Sequence, residues 1–491
     1  MKKYILFITF LSLNISFSQI GINIDNPDPS SILDVQSVSQ GVLMPRMTTA
    51  QKLAISTPAT GLTVFDTDLN SFQYYNGTNW VFLEDIHLRD NYKLVKNISD
   101  LSDELVAGGG SVYKLNTDFL YEINGTVIFD FPIDLNGAYI EGVDSTEDTL
   151  VNNFSGTLFT GTTGGSIRNI TLSGSIPSGT KQPIFDLTGT SSDLLLINNV
   201  VMANASKIGT IDGFGTVFIS VSQYLGNNDG YTINDVDSFF VSNIFWTETN
   251  TGTFIEFTGS FQDLQMNGGR IVLDTGEKGI DVSSNPTIGN DATLSQLSFV
   301  GAGLAVDRYT VGSYTGFNFT KDWNVNCSGI PIETDQVAAA NFYFGGTLSS
   351  GYSQDITNDT PVQIKSSTNF VASGLFRFIA DDNNNDVIYK GKKARKVQIN
   401  VSLSIRVDGP NILLGGNANG DFYAFSIAKN GSIVTETNSV VRIDSTTQIQ
   451  NVALNGVLSL EPDDKIEVFV SRLTGAGTDV LSVFSQNLSV R

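Results

Sequence analysis

Arg168-Asn169-Ile170-Thr171-Leu172, Asn198-Asn199-Val200-Val201-Met202, Ser242-Asn243-Ile244-Phe245-Trp246, Gln262-Asp263-Leu264-Gln265-Met266, Ser295-Gln296-Leu297-Ser298-Phe299 and Lys321-Asp322-Trp323-Asn324-Val325 share one pattern: polar, polar, apolar, any, apolar. The second position falls at 169, 199, 243, 263, 296 and 322, giving spacings of 30, 44, 20, 33 and 26 residues. The spacing of 44 has room for two units. A strand unit that returns every ~20–30 residues predicts a stacked β-solenoid, because each unit buries its apolar side only against its neighbours. The two apolar positions of each instance lie two apart, so both face the same way. Ile244 and Trp246, and likewise Trp323 and Val325, are expected inside. Val201 and Phe245 are the apolar residues expected to point outward.

Around this core the chain divides further. Residues 1–18 read as a secretory signal: Lys2-Lys3, then an apolar run from Tyr4 to Ile15, then Ser16-Phe17-Ser18 as a cleavage site that leaves Gln19 first. The run is too short to span a bilayer, and no later stretch is apolar enough, so no membrane insertion is expected. Residues 19–92 form a small mixed module, with strands at Ile32 to Val35 and Gly61 to Thr67. Thr48 or Thr49 caps a short helix near Ala50, and a hairpin turns at Asn76-Gly77. Over 93–111, Leu94, Val95, Ile98, Leu101, Leu105 and Val106 fall at helical spacing before Gly108-Gly109-Gly110, which predicts a helix that caps the solenoid. The solenoid spans 112–327; at roughly 24 residues per coil it has about nine coils and a length of ~40 Å. Residues 328–360 read as a neck. Over 361–491, strict alternation at Val397, Ile399, Val401, Leu403 and Ile405, with a hairpin at Asn430-Gly431, predicts a β-sandwich.

Three of these segments resemble known families. Ile20-Gly21, Ile32 to Val35, Pro45 to Gln51, Pro58 to Leu62 and Tyr74 to Trp80 together resemble an N-terminal module of secreted Bacteroidetes surface proteins and phage tail-fibre-like proteins. That resemblance implies an exposed, fibrous oligomer and no chemistry. The repeat resembles the right-handed parallel β-helix of pectate-lyase-like proteins and phage tailspikes. Ile427 to Ser432, Leu460 to Val470 and Leu488-Ser489-Val490 resemble trimeric jelly rolls of the complement and tumour-necrosis-factor type, which implies a homotrimer. The expected fold class is therefore all-β: a β-helix shaft followed by a jelly roll.

Composition narrows the chemistry. Of 491 residues only 16% are charged, Gly numbers 47 and Pro 12, which suits many short strands and tight turns. The net charge of −22 repels nucleic acid and anionic lipid. With one cysteine, Cys327, no intramolecular disulfide can form; Cys327 is expected as a small buried group. With one histidine, His87, outside the shaft, most zinc sites and every Ser-His-Asp or Cys-His arrangement are excluded there.

A β-helix can nevertheless carry polysaccharide hydrolases, which need two carboxylates on one surface. Asp263 and Asp322 share a register position, and Asp235 and Asp237 lie close in sequence; the competing reading makes them turn residues. Arg168, Arg270 and Arg308 are isolated and fit no lyase motif. Asp381-Asp382-Asn383-Asn384-Asn385-Asp386 resembles the start of a calcium loop, but Asp386 stands where Gly is needed and Lys392 where an acid is needed, leaving a weak surface cation site or a plain turn. Lys390-Gly391-Lys392-Lys393-Ala394-Arg395-Lys396 is the basic run; it suits an acidic glycan, a neighbouring subunit or a solvated strand start. No catalytic, cofactor or metal residue is assigned, and binding residues stay open. The expectation is a secreted, non-catalytic, homotrimeric fibre or adhesin that binds a glycan or cell surface. The alternatives are a tailspike-type polysaccharide lyase or hydrolase, and a structural part of an appendage or phage-like particle.

Overall fold

A computed structural model describes residues 19–83, 90–176, 179–357, 359–366, 370–408, 421–475 and 477–491. The expected signal segment and His87 lie outside the described residues. The chain forms two compact units, residues 1–90 and 91–491, each treated by itself.

The first unit carries two small sheets. Ile20–Ile22 pairs in parallel with Leu33–Val35, and Arg46–Met47, Thr63–Asp66, Ser71–Tyr75 and Trp80–Phe82 form a four-stranded sheet. The expected helix is Thr49–Leu53 and its cap is Thr48, which accepts from Gln51 N–H at 3.2 Å while Gln51 Oε1 accepts from Thr48 N–H at 2.9 Å. Lys52 and Asp66 form a buried pair at 2.6 Å. Apart from Val64, no described hydrophobic side chain of this unit is buried. Ile20, Ile22, Ile32, Leu33 and Leu43 are all more than half exposed. Among its described residues, then, the unit buries little apolar surface of its own, which is unusual for a free-standing domain of this size.

The second unit opens with the solenoid. One sheet stacks Tyr92–Val95, Leu120–Ile123, Tyr139–Gly142, Gly165–Ser173, Leu194–Ala203, Thr216–Leu225, Ser238–Trp246, Ser260–Leu273, Thr287–Gly301 and Trp323–Ser328 in parallel order. A second, nine-stranded sheet runs from Tyr113–Lys114 to Leu304–Asp307, also parallel, so the β-helix has about nine coils. Its interior is one continuous apolar column. Tyr224, Trp246 and Phe254 meet there with ring centres 5.2–5.7 Å apart.

The long strands bend at one residue each. Asn169, Asn199, Val221, Asn243, Gly268 and Gln296 lie above one another in register, with φ of 52°, 54°, 51°, 53°, 75° and 57°. A left-handed residue resets the in–out alternation, so two outward residues occur in a row before the next inward one. Asn tolerates this conformation better than other side chains. Its amides also stack: Asn199 Nδ2 donates to Asn169 Oδ1 at 3.0 Å, and Asn169 Nδ2 to Glu141 Oε1 at 3.0 Å.

The structure corrects three sequence expectations. Gln262 to Met266 and Lys321 to Val325 do not lie on the bend column; Asp263 pairs with Ser238 and Trp323 with Ala292. The spacing of 44 does hold two coils, as expected, with the strand Thr216–Leu225 between them. The helix expected over 93–111 is shorter: Leu94 and Val95 belong to the first strand, and a helical turn at Ile98–Leu101 continues into Ser102–Ala107. Leu101 enters the core, and buried Glu104 pairs with Lys93 at 2.6 Å and accepts from the Tyr121 hydroxyl at 2.9 Å. The stretch read as a neck supplies Ala339–Gly345 and Tyr352–Thr357, both antiparallel to the last strand, Thr478–Val490. They complete a sandwich of two antiparallel sheets around a single core.

Among the described residues no helix is long and apolar enough to cross a membrane.

Candidate functional site

A groove of about 630 Å³ lies where the last coils meet the sandwich. Its floor is the outward face of the parallel sheet, and successive coils build it in columns. Ser238, Asp263, Asp291 and Asp322 form one column. Thr293 and Asn324 stand beside the last two of these, and Ser295 and Asn326 beside those. Each of these outward side chains is polar because its neighbours in sequence, Ala292, Leu294, Trp323 and Val325, point into the core. Asp335, Lys392 and Lys393 from beyond the shaft form the opposite wall.

The shared register of Asp263 and Asp322 is thus real, but Asp291 stands between them. Two coils separate the outer pair by ~10 Å of backbone, and one coil separates Asp291 from Asp322 by ~4.8 Å. Lys392 Nζ lies 3.0 Å from Asp291 Oδ1 and 3.8 Å from Asp322 Oδ1, and it also donates to the Asn290 carbonyl. Asp263 accepts from Asn290 Nδ2 at 3.2 Å. The carboxylates therefore face amines and amides of the chain itself, in an array of alternating donors and acceptors. Such an array can bind the hydroxyls of a polar ligand.

The basic run is used largely within the chain. Lys390 pairs with Asp463, Lys392 with the acidic column, and Arg395 donates to the carbonyls of Asp335 at 2.7 Å and Ala338 at 2.8 Å. Asp335 Oδ2 accepts from the N–H groups of Lys392 and Lys393, both at 2.9 Å. Its other oxygen lies 3.3 Å from Nε of Arg377, a fully buried guanidinium that donates to the Trp323 carbonyl at 2.7 Å. Burial draws the Arg377 pKa down and raises that of Glu333, although the N–H groups of Phe319 and Asn318 bind the Glu333 carboxylate.

The remaining candidates do not converge on the groove. Asp235 is a left-handed turn residue whose carboxylate accepts from Ser260 N–H at 2.8 Å, and the Asp237 backbone joins neighbouring coils. Arg168, Arg270 and Arg308 lie on different coils. Asp381 to Asp386 forms a hairpin turn in which Asp381 accepts from Asn383 and Asn384 N–H, while Asp386 is buried against Lys465. Among the described residues no group of three or more His, Cys, Asp or Glu is placed to hold a metal ion. Trp246, Trp323 and Cys327 are buried, as expected. Phe245 points outward and is 37% exposed. Sequence reasoning missed Asp291, whose place in the column shows only once the coils are in register.

The family described as phage tail like trimerisation region matches residues 21–99. None of the curated proteins matches the chain. Among solved structures, the chain is similar to the tailspike protein of Acinetobacter phage vB_ApiP_P1, with 9% identity over 91% of this chain and 99% of that one and a TM-score of 0.23. It is similar to the phiAB6 tailspike, solved with oligosaccharides of Acinetobacter baumannii surface polysaccharide, with 10% identity over 85% of this chain and 98% of that one and a TM-score of 0.15. It is also similar to the tumour-necrosis-factor protein Eiger of S. frugiperda, with 14% identity over 31% of this chain and 90% of that one and a TM-score of 0.19. Identities and scores this low carry no argument about activity. The trimerisation-region match, with a first unit that leaves its apolar residues uncovered, supports self-association as a homotrimer and a tail-fibre-like structural protein.

Proposed function

We propose that this chain is a secreted, homotrimeric fibre protein that binds a glycan at the groove between its shaft and its C-terminal sandwich. The observation that carries the reading is the groove itself: an open site where Asp291, Asp322, Asn324 and Lys392 offer alternating donors and acceptors suited to sugar hydroxyls. The order of parts agrees with it, with a trimerisation region first, then a rigid shaft, then a sandwich that this reading takes as a jelly roll of the trimeric type. Export through residues 1–18 belongs to the same reading, and sequencing of the mature N-terminus should find Gln19 first.

The full chain on a glycan array should bind a defined subset of polysaccharides, and Asp322→Ala together with Asn324→Ala should reduce that binding at least about tenfold, the loss of one or two hydrogen bonds. No binding to any glycan, or binding unchanged in the double variant, would sink the proposal. The competing reading, a polysaccharide hydrolase or lyase, draws on the column Asp263–Asp291–Asp322. Release of new reducing or unsaturated ends from a bound polysaccharide would favour it. Isolation of the chain only within a larger particle would instead favour a purely structural part.

A further inference from the structure

Three consecutive strands of the shaft, Leu194–Ala203, Thr216–Leu225 and Ser238–Trp246, contain no Asp, Glu, Lys or Arg. The chain as a whole has 50 acidic residues and a net charge of −22. Charge is present on the coils to either side, at Glu141 and Arg168 before and at Asp263 and Arg270 after. The uncharged face mixes apolar residues with Asn, Gln, Ser and Thr. Phe218 and Phe240 stack in register above Leu196, all pointing outward, and Leu194, Val221 and Phe245 are 52%, 45% and 37% exposed.

Val221 is a second, independent sign. It occupies the left-handed bend at φ 51°, where the coils on both sides have Asn. A β-branched residue there is strained by about 1–2 kcal/mol, and among the described residues its side chain is left 45% exposed. Contact with another surface would offset that strain.

We propose that this face is where the shafts of the homotrimer meet, each copy turning it towards the common axis. This rests on the homotrimer stated above. Near a three-fold axis each residue approaches its own copies, so any charge would meet a like charge. An uncharged face lets an acidic chain bring three shafts together without that repulsion, and this is such a face. Its size fits a secondary contact: ten residues by three strands span about 33 Å by about 14 Å, on the order of 450 Å². A stable interface needs ~800 Å² per partner, so the face would not hold three chains alone. It would close once the trimerisation region at residues 21–99 has brought the copies to a high effective concentration.

The native cysteine, Cys327, is buried, so a new thiol can report on the face. Gln223→Cys puts an exposed residue beside Val201 and Phe245, and Thr188→Cys puts one on the other sheet of the same shaft. In full-length protein of trimeric mass, a short bismaleimide should link Gln223→Cys chains to one another and leave Thr188→Cys chains single. A bulky maleimide should label Gln223→Cys at least about tenfold more slowly than Thr188→Cys. Adding Phe240→Glu should abolish both differences while light scattering still gives a trimer. Equal labelling of the two thiols in a trimer overturns the inference and leaves the face to a neutral glycan, which would then protect Gln223→Cys when added. A monomeric mass overturns the homotrimer itself, a separate result.

Discussion

Replacing Arg377 with alanine should destabilise the second unit by about 3–5 kcal/mol, the usual cost of breaking a buried charged contact from one side. The side chain is fully buried between the last coil and the sandwich. Nη2 donates to the Trp323 carbonyl at 2.7 Å and to the Glu333 carbonyl at 3.3 Å, and the guanidinium lies 4.9 Å from the Phe376 ring centre. Loss of a charged hydrogen bond accounts for about 1.5–3 kcal/mol. The vacated volume and the lost positive charge beside Asp335 and buried Glu333 supply the rest. Backbone strain does not enter, because the residue has φ 58° and alanine there is strained as arginine is. Arg377→Met should cost less than Arg377→Ala, because it refills the space, although it too loses the polar contacts and the charge. Urea unfolding of the full chain followed by tryptophan fluorescence is the assay, since Trp323 belongs to the joint. A cost below about 1 kcal/mol for Arg377→Ala would refute the reasoning that this guanidinium fastens the sandwich to the shaft.

Other consequences are as direct. Burial opposes the charge on Asp66, but Lys52, Thr49 and the N–H groups of Leu69 and Asp68 hold its pKa at about 2, below the ordinary 3.8. Its contribution to stability is therefore complete above about pH 4 and lost as the pH falls towards 2; an acid titration followed at Trp80 should show this loss, and Lys52→Met should flatten it. Asn199→Ala removes an amide of the ladder and places alanine at φ 54°, which should cost about 1–2 kcal/mol in thermal unfolding. Gly269→Ala should cost about 1–3 kcal/mol, because its Cβ would lie 2.3 Å from the Ile244 carbonyl oxygen. Lys392→Met should leave stability within about 1 kcal/mol, since Asp291 is 59% exposed, yet weaken glycan binding by removing the donor between the two carboxylates.

How far the sequence can be read follows from what its pattern measures. Alternation reports parity, and parity alone put Trp246 and Trp323 inside, Phe245 outside and Asp263 level with Asp322. Two polar residues before an apolar one report something less specific, a break in parity. At Asn169, Asn199, Asn243 and Gln296 the break is a left-handed bend. At Asp263 it is a register shift after Phe261, and at Asp322 it is simply the start of a strand. All three give out, out, in, so the same five letters mark different places on the coil. The converse also holds: Val221 and Gly268 occupy true bends and break the pattern, one by being apolar and the other by having no side chain. The strand at Ala339–Gly345 escaped for a related reason, since alanine has little preference for sheets and Ala340 is strand only because Val490 and the core beside it hold it there. Asp291 is the functional counterpart. Nothing near it in sequence marks it, because its role comes from Asp263 and Asp322 on the coils to either side and from Lys392 across the groove. A site made by stacking becomes legible only when the number of residues in every loop between coils has been counted correctly. Those loops, at spacings from 22 to 30 residues along the bend column, are the part of this chain that no periodicity constrains.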